Sequence, residues 1–409
     1  MPSGSPGSLY PLFRVVNSLV IMTIAMAGMY ASIMVLEPAT REFGIGRGAG
    51  ALPYTLYMIG FGLGNIFLGK ILDRCGIAVL ALVGSVCLPA GLYLATEMNN
   101  LWSFSITLAV LCGFLGGAFA FGPLVADISH WFDRRRGLAV GIVFSGSYIA
   151  GAIWPPIIQG WTSSGGWRGS FINLAIVCVV TMVPLSLVYL KKNRSDKTSS
   201  TGFQPNNWKN PLGMTKSRLQ GCLCFGGIGC CVAMSMPQVH IVPYAIDLGF
   251  QAQDGAYMLA LMLGFGIVSR VLSGWISDRI GGLKTLLLGA GLQVLAILLF
   301  WFVDTLTGLY LVSVAFGLSQ GGIVPSYTII IRKYFRPDEA GGRIGFATVA
   351  TTGGMALGGW MAGALYDLSG SYTLSYLNAV AFNMVTLAIA AYLLRQHYRH
   401  RPATGLTPS

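Results

Sequence analysis

GKILDRCG at residues 69–76 and GWISDRIG at 274–281 are two copies of one pattern, G-x-x-x-D-R-x-G, displaced by 205 residues. The first copy carries Gly69, Asp73, Arg74 and Gly76, and the second carries Gly274, Asp278, Arg279 and Gly281. A second echo pairs HWFDRRRG, containing Phe132, with RKYFRPDEAGGR, containing Phe335, at a displacement of 203. Two echoes at nearly one offset imply an internal duplication. Each copy follows a long apolar run, so the repeated unit is built of such runs.

Outward from the motif, the runs lie near 15–36, 51–70, 77–96, 102–129, 137–160, 171–190, 219–245, 255–276, 284–303, 306–330, 343–366 and 373–394. Each is about the 20 residues that an α-helix needs to cross the hydrocarbon, and none alternates as a barrel strand would. The fold class is therefore an all-α integral membrane protein, with twelve transmembrane helices in two six-helix bundles. Residues 1–190 form the first bundle and 219–409 the second. The interval 191–218, rich in Ser, Thr, Asn and Lys, reads as a solvated linker loop.

Composition agrees. Of 409 residues, 54% are hydrophobic and only 10% charged, against about 25% charged in soluble domains. That excludes a soluble enzyme or nucleic-acid-binding protein, and the net charge of +12 belongs to basic loops at one membrane face. Of the 26 lysines and arginines, 22 fall in loops on one side and three, Arg41, Arg47 and Arg168, on the other. The positive-inside rule then puts both termini in the cytoplasm of a multi-pass protein of the plasma membrane, of bacterial inner-membrane type. The eight cysteines read as buried small hydrophobes. No histidine completes a zinc pattern, no phosphate loop or catalytic cluster occurs, and no cofactor or metal is expected.

The duplicated six-helix plan points to a secondary transporter with its site near the midplane between the halves. Twelve spans, a basic central loop and G-x-x-x-D-R-x-G after helices two and eight resemble the major facilitator superfamily. MPQVHIVPYAIDLGF ending helix seven, SRVLSGWISDRIG ending helix eight, WFDRRRGLAVGI entering helix five and ALYDLSGSY after helix eleven are similar to the monocarboxylate porter and oxalate/formate antiporter branch. The resemblance implies a carrier of an organic monocarboxylate working by alternating access with H+ as co-substrate, monomeric in the bilayer. It also implies that the Asp-Arg motif is a gating latch. Two alternatives remain, an exporter of drugs or other small organic molecules and a transporter-like membrane sensor.

Arg270 is the charge that apolar surroundings make conspicuous. Asp254 lies sixteen residues before it and Asp278 eight after, which places it about 12 Å from one helix end and about 24 Å from the other. A central arginine costs about 2.5–3.5 kcal/mol on insertion scales. One turn either side stand Gly266 and Gly274, so no acid on its own helix neutralises it. Its planar fork suits a carboxylate bidentately, and the resemblance implies the same role. The resemblance also marks departures: animal monocarboxylate porters carry an aspartate where Gly266 stands and a lysine in helix one, and oxalate antiporters a lysine in helix eleven. This chain has none of them, and a single cation suits a monoanion.

Tyr30, Tyr148, Tyr327 and Gln320 are candidate substrate contacts. Phe119, with Phe121, hints at a bulkier acid than lactate. His240 is a proton-coupling candidate because imidazole titrates near neutral pH, or else part of an interfacial belt with Tyr244. Asp127 either relays a proton, balances Arg270, or pairs with Arg134 to Arg136 at its helix end.

Overall fold

The computed structural model describes residues 10–129, 131–132, 136–190 and 212–400, and among them every regular element is helical. In lipid each backbone polar group must be satisfied within its own segment, so uninterrupted apolar runs become helices. The passes are α1 (Tyr10–Met34), α2 (47–75), α3 (77–96) and α4 (Leu101–Ser129), α2 and α3 being one helical run bent at Gly76. The segment Leu138–Leu190 has 53 residues and bends at Gly166, where φ is 72° and ψ 168°, giving α5 (138–165) and α6 (167–190). Then follow α7 (Lys216–Asp247), α8 (Ala252–Ile280), α9 (Gly282–Leu299), α10 (Leu306–Tyr334), α11 (Pro337–Ser369) and α12 (Thr373–Arg399).

Ten of the helical segments are long and apolar enough to cross a membrane. The bend at Gly166 divides one of them, and α11, whose 33 residues include eight glycines, is the less apolar remaining pass. Twelve passes result among the described residues.

The last glycine of each motif copy has a structural reason. Gly76 adopts φ 76° and Gly281 φ 84°, a backbone that an L side chain rarely tolerates. A single glycine therefore turns α2 into α3 and α8 into α9, where the sequence suggested short loops. Elsewhere glycine allows backbone contact between helices. A Cβ on Gly64 of α2 would sit 2.5 Å from the Phe114 carbonyl oxygen of α4, and one on Gly113 of α4 would sit 2.5 Å from that of Tyr57 in α2. Within α4, Leu108–Gly117 winds as a wider π-helix.

The broadest contacts between the first six passes and the last six are α2 on α11 and α5 on α8. Thr55 donates to the Ala356 carbonyl at 3.3 Å, and Gln253 to that of Pro156 at 3.2 Å.

Three expectations change. The seventh helix begins at Lys216, inside the interval read as linker, because Thr215 caps it by accepting from the Arg218 N–H and Lys216 pairs with Glu339; residues 191–211 lie outside the described residues. Arg14, counted as a loop residue, is inside α1 and only 2% exposed. The eight cysteines are all free, but Cys75 is exposed beside the Gly76 corner, and Cys87, Cys222 and Cys224 are only half-buried.

Candidate functional site

Arg270 sits where α8 meets α5 and α10. Gly321 brings the α10 backbone close, its Cβ position lying 2.7 Å from the Arg270 nitrogen. Gly266, one turn earlier on α8, faces the Tyr148 ring of α5, and a Cβ there would stand 2.5 Å from Cε1. The Arg270 guanidinium lies over that ring, 4.7 Å from its centroid. Among the described residues no carboxylate forms an ion pair with Arg270.

Three of the other candidates gather here. The Tyr30 hydroxyl donates to the Ser147 carbonyl at 3.2 Å, against Gly151 and Leu263. Gln320 donates through Nε2 to the Met262 carbonyl at 3.1 Å and accepts from Gln238 through Oε1. That Nε2 lies 3.7 Å from the Cβ position of Gly266, so Tyr30, Tyr148 and Gln320 surround one short stretch of α8. Tyr327 lies two turns from Gln320 along α10, toward the basic loops, and its hydroxyl is 3.5 Å from the Cys230 sulfur. Gln238, on α7, escaped the sequence reading; a glutamine in the middle of an apolar helix was the available signal.

Phe119 goes elsewhere. It is fully buried against Gly84 of α3, inside the first six helices. Phe121, the second of the two rings expected on the fourth helix, points instead toward α2 and α5. It meets Phe61 of α2 and Phe144 of α5 edge to face, with centroids 5.4 and 4.9 Å apart, and Phe144 lies one turn before Tyr148 on α5.

Asp127 is bound by Arg14 rather than by Arg270; the side chains of Arg134, Arg135 and Arg136 lie outside the described residues. Arg14 Nε donates to Oδ2 at 2.9 Å and Nη2 to Oδ1 at 3.0 Å. The guanidinium lies between the rings of Trp131 and Tyr189, 4.7 Å from each centroid.

His240 is also fully engaged, 1% exposed. Its Nε2 lies 2.8 Å from the Gly359 carbonyl, to which it donates, and its Nδ1 2.9 Å from the Tyr372 hydroxyl. In the neutral ring that tautomer leaves Nδ1 to accept from Tyr372.

Tyr372 leads to a feature of the end opposite the basic loops that the sequence reading missed. Arg47, at the start of α2, donates to both oxygens of Asp247 at the end of α7, at 2.5 and 2.6 Å. Its backbone N–H and that of Gly48 donate to the two oxygens of Asp367 on α11, each at 2.8 Å. Its guanidinium lies 3.9 Å over Tyr366 and 5.3 Å from Tyr372. Among the described residues, the ion pair joining the two groups of six helices lies here. Nearby Glu42 accepts from Arg168 Nη1 at 2.8 Å and from Trp167 at 2.6 Å, and the Arg168 hydrogen bonds hold its carboxyl below the usual carboxylate range.

The opposite arrangement holds at the basic end. Asp278 and Arg279 are exposed, and Arg279 stacks 3.5 Å over its own neighbour Trp275. Gly69 and Gly274 face open space and Arg74 is exposed, while the Asp73 side chain lies outside the described residues.

Arg270 thus lies on the α5–α8 seam between the two six-helix groups, and Arg47 clamps those groups together at the end away from the basic loops. The family model described as Major Facilitator Superfamily matches residues 18–309 and again 222–408. The chain belongs to the major facilitator superfamily. Like the family, it is a membrane transporter and not an enzyme. Among curated relatives of this major facilitator, Monocarboxylate transporter 13 of Rattus norvegicus is 26% identical over 325 residues, 76% of this chain and 71% of the relative. Monocarboxylate transporter 12 of Homo sapiens is 26% identical over 374 residues, 81% and 70%. An uncharacterized MFS-type transporter of Bacillus subtilis, YcxA, is 25% identical over 354 residues, 84% and 86%. A solved bacterial homolog of the human lysosomal transporter Spinster, inward-facing and unoccupied, superposes with a TM-score of 0.74 at 13% identity, covering 98% of this chain and all of that one.

Proposed function

We propose that this major facilitator carries an organic monocarboxylate by alternating access, with Arg270 receiving the carboxylate. The observation that carries the reading is a guanidinium inside the membrane with no acid paired to it among the described residues. A charge inside the membrane without a counter-ion is costly, and an arriving carboxylate supplies the missing charge through two parallel hydrogen bonds. Tyr30, Gln320 and Gln238 offer polar atoms to the acid's other groups. The Phe61, Phe121 and Phe144 cluster offers an apolar wall, which suits an acid larger than lactate. The likeness to monocarboxylate transporters supports the same substrate class.

With the basic loops in the cytoplasm, the clamp of Arg47 on Asp247 and Asp367 closes the outer end, and the chain stands inward-facing. The Asp-Arg motif is then the latch of the other state, uncoupled here, consistent with exposed Asp278 and Arg279. A proton enters the proposal at the outer end. His240 lies beneath Tyr372, which lies beneath Arg47. A proton on His240 adds a second cation below the clamp, so an acidic exterior favours opening toward it.

The test is uptake of lactate, pyruvate, benzoate and phenylacetate into vesicles, with and without an inward proton gradient at clamped membrane potential. Arg270→Ala abolishes uptake of every acid that the wild type carries, and Arg270→Lys retains little because the fork is lost while the charge stays. Normal uptake by Arg270→Ala refutes the site. Acceleration by the gradient that survives His240→Gln removes His240 from the coupling.

A further inference from the structure

We propose that Tyr148 is a positioning residue for Arg270, and that position 266 is glycine because the Tyr148 ring fills the space its side chain needs. The inference rests on the reading of Arg270 as the carboxylate site and adds what holds that arginine in place.

Two independent contacts meet on one ring. From α8, the guanidinium stands 4.7 Å over the Tyr148 centroid, within the range of cation–π attraction. From the same helix one turn earlier, the Cβ position of Gly266 is 2.5 Å from Cε1 and 2.7 Å from Cδ1. Real Cβ atoms do not approach so closely, so any side chain at 266 displaces the ring from beneath Arg270. Ring and glycine are therefore complementary, across the seam where α5 meets α8.

An unpaired arginine about 12 Å from the basic end is within reach of snorkelling toward water on its three-carbon stem. An acid at 266 would hold it, but would also neutralise it and compete with the substrate. An aromatic face holds a cation without neutralising it, leaving both rows of N–H donors for a carboxylate. Tyr148 thus fixes the fork while the site stays cationic. The ring carries this role, and the hydroxyl does not.

The experiment measures KM and maximal rate for whichever of lactate, pyruvate, benzoate and phenylacetate the wild type carries best. The variants are Tyr148→Phe, Tyr148→Trp, Tyr148→Leu, Gly266→Ala and the double variant Tyr148→Leu/Gly266→Ala. The Phe and Trp variants keep a π face, and both hold KM within about twofold of wild type. Tyr148→Leu raises KM about 3- to 30-fold, the range of a lost cation–π contact, with maximal rate changed less than about twofold. Gly266→Ala raises KM in the same direction, and adds nothing in the Tyr148→Leu background because the ring it displaces is already gone. A wild-type KM in Tyr148→Leu overturns the inference. So does a rise in Tyr148→Phe equal to that in Tyr148→Leu, which would mean that the hydroxyl touches the substrate. Additive effects of Tyr148→Leu and Gly266→Ala in the double variant overturn the complementarity. Arg270→Ala, run alongside, keeps the two readings apart: normal uptake there defeats the site itself, whereas lost uptake there with an indifferent Tyr148→Leu defeats only the positioning role.

Discussion

Arg14 and Arg270 both lie inside apolar helices, and they differ in what surrounds the charge. Arg14 is bidentate on Asp127, flanked by Trp131 and Tyr189, and 2% exposed. Arg270 has one aromatic face and, among the described residues, no acid. The first is a finished structural joint, tying α1 to α4 and α6. On the proposed reading the second is completed by an arriving anion. The same residue type would then serve the fold in one place and the cargo in the other, with its partner telling which.

Removing each guanidinium breaks the comparison if it is wrong. Arg270→Ala is expected to raise the apparent KM about 30-fold or more, which leaves no uptake at ordinary substrate concentrations, in line with about 2–5 kcal/mol for losing one partner of a desolvated charge pair. Its thermal unfolding midpoint is expected to stay near the wild-type value or rise, since a costly unpaired charge has gone. Fluorescence-detected unfolding in detergent beside vesicle uptake reads both. A large fall in the midpoint would make Arg270 a structural residue.

The reverse pattern is expected at the other arginine. Arg14→Ala strands Asp127 and should cost about 3–5 kcal/mol, the usual penalty for removing half of a buried pair. Asp127→Asn should cost less than Arg14→Ala, because the amide still accepts one hydrogen bond. In the surviving folded fraction the KM for substrate is unchanged. A KM that rises with loss of Arg14 would place the pair in the transport path.

The two arginines also measure how far the sequence could be read. The twelve passes follow from run length, and the bundle pairing from the repeated motif. Arg270 stands out because fifteen uncharged helix residues separate it from Asp254. Arg14 does not, since an arginine at the edge of a run looks like a loop residue and its partner is 113 positions away. Phe119 and Phe121 show a different limit. Two residues apart on a helix means roughly opposite faces, so choosing between them needs the helix phase. The π-helical stretch Leu108–Gly117, ending just before Phe119, shifts that phase in a way that no periodicity announces. His240 was legible as a titratable group, but its partner Tyr372, 132 residues on, and the Arg47 clamp above it are products of tertiary contact.

Arg47 extends the comparison to a charge pair that joins the two six-helix groups and that, in the proposed cycle, closes the outer end. Its side chain is 14% exposed and that of Asp247 29%, between the buried and the solvated cases. Arg47→Ala is expected to shift the access equilibrium toward outer opening by about 1.4 kcal/mol, a tenfold change. The check is the rate at which a cysteine placed at Thr55, on the α2–α11 seam, reacts with a membrane-impermeant maleimide in a background without the native cysteines. An unchanged rate would make the clamp a bystander.

The weakest effect belongs to Glu42 and Arg168, whose side chains are 35% and 39% exposed. Exposed pairs contribute about 0–1 kcal/mol, so Glu42→Gln is expected to lower the unfolding midpoint only slightly at neutral pH. The sign of its pH dependence is fixed. Arg168 depresses the Glu42 carboxyl below its ordinary value of 4.5, so the folded state binds that proton less readily than the unfolded state. The stabilisation is therefore fully present above the unfolded pKa and fades as pH falls through the lower folded value. Wild type and Glu42→Gln should differ at pH 7 and converge as the pH falls through the lowered folded value. A gap that persists or widens in acid would mean that Glu42 acts through shape and its Trp167 contact rather than through charge, and the graded series from Arg14 through Arg47 to Arg168 would lose its electrostatic basis at the exposed end.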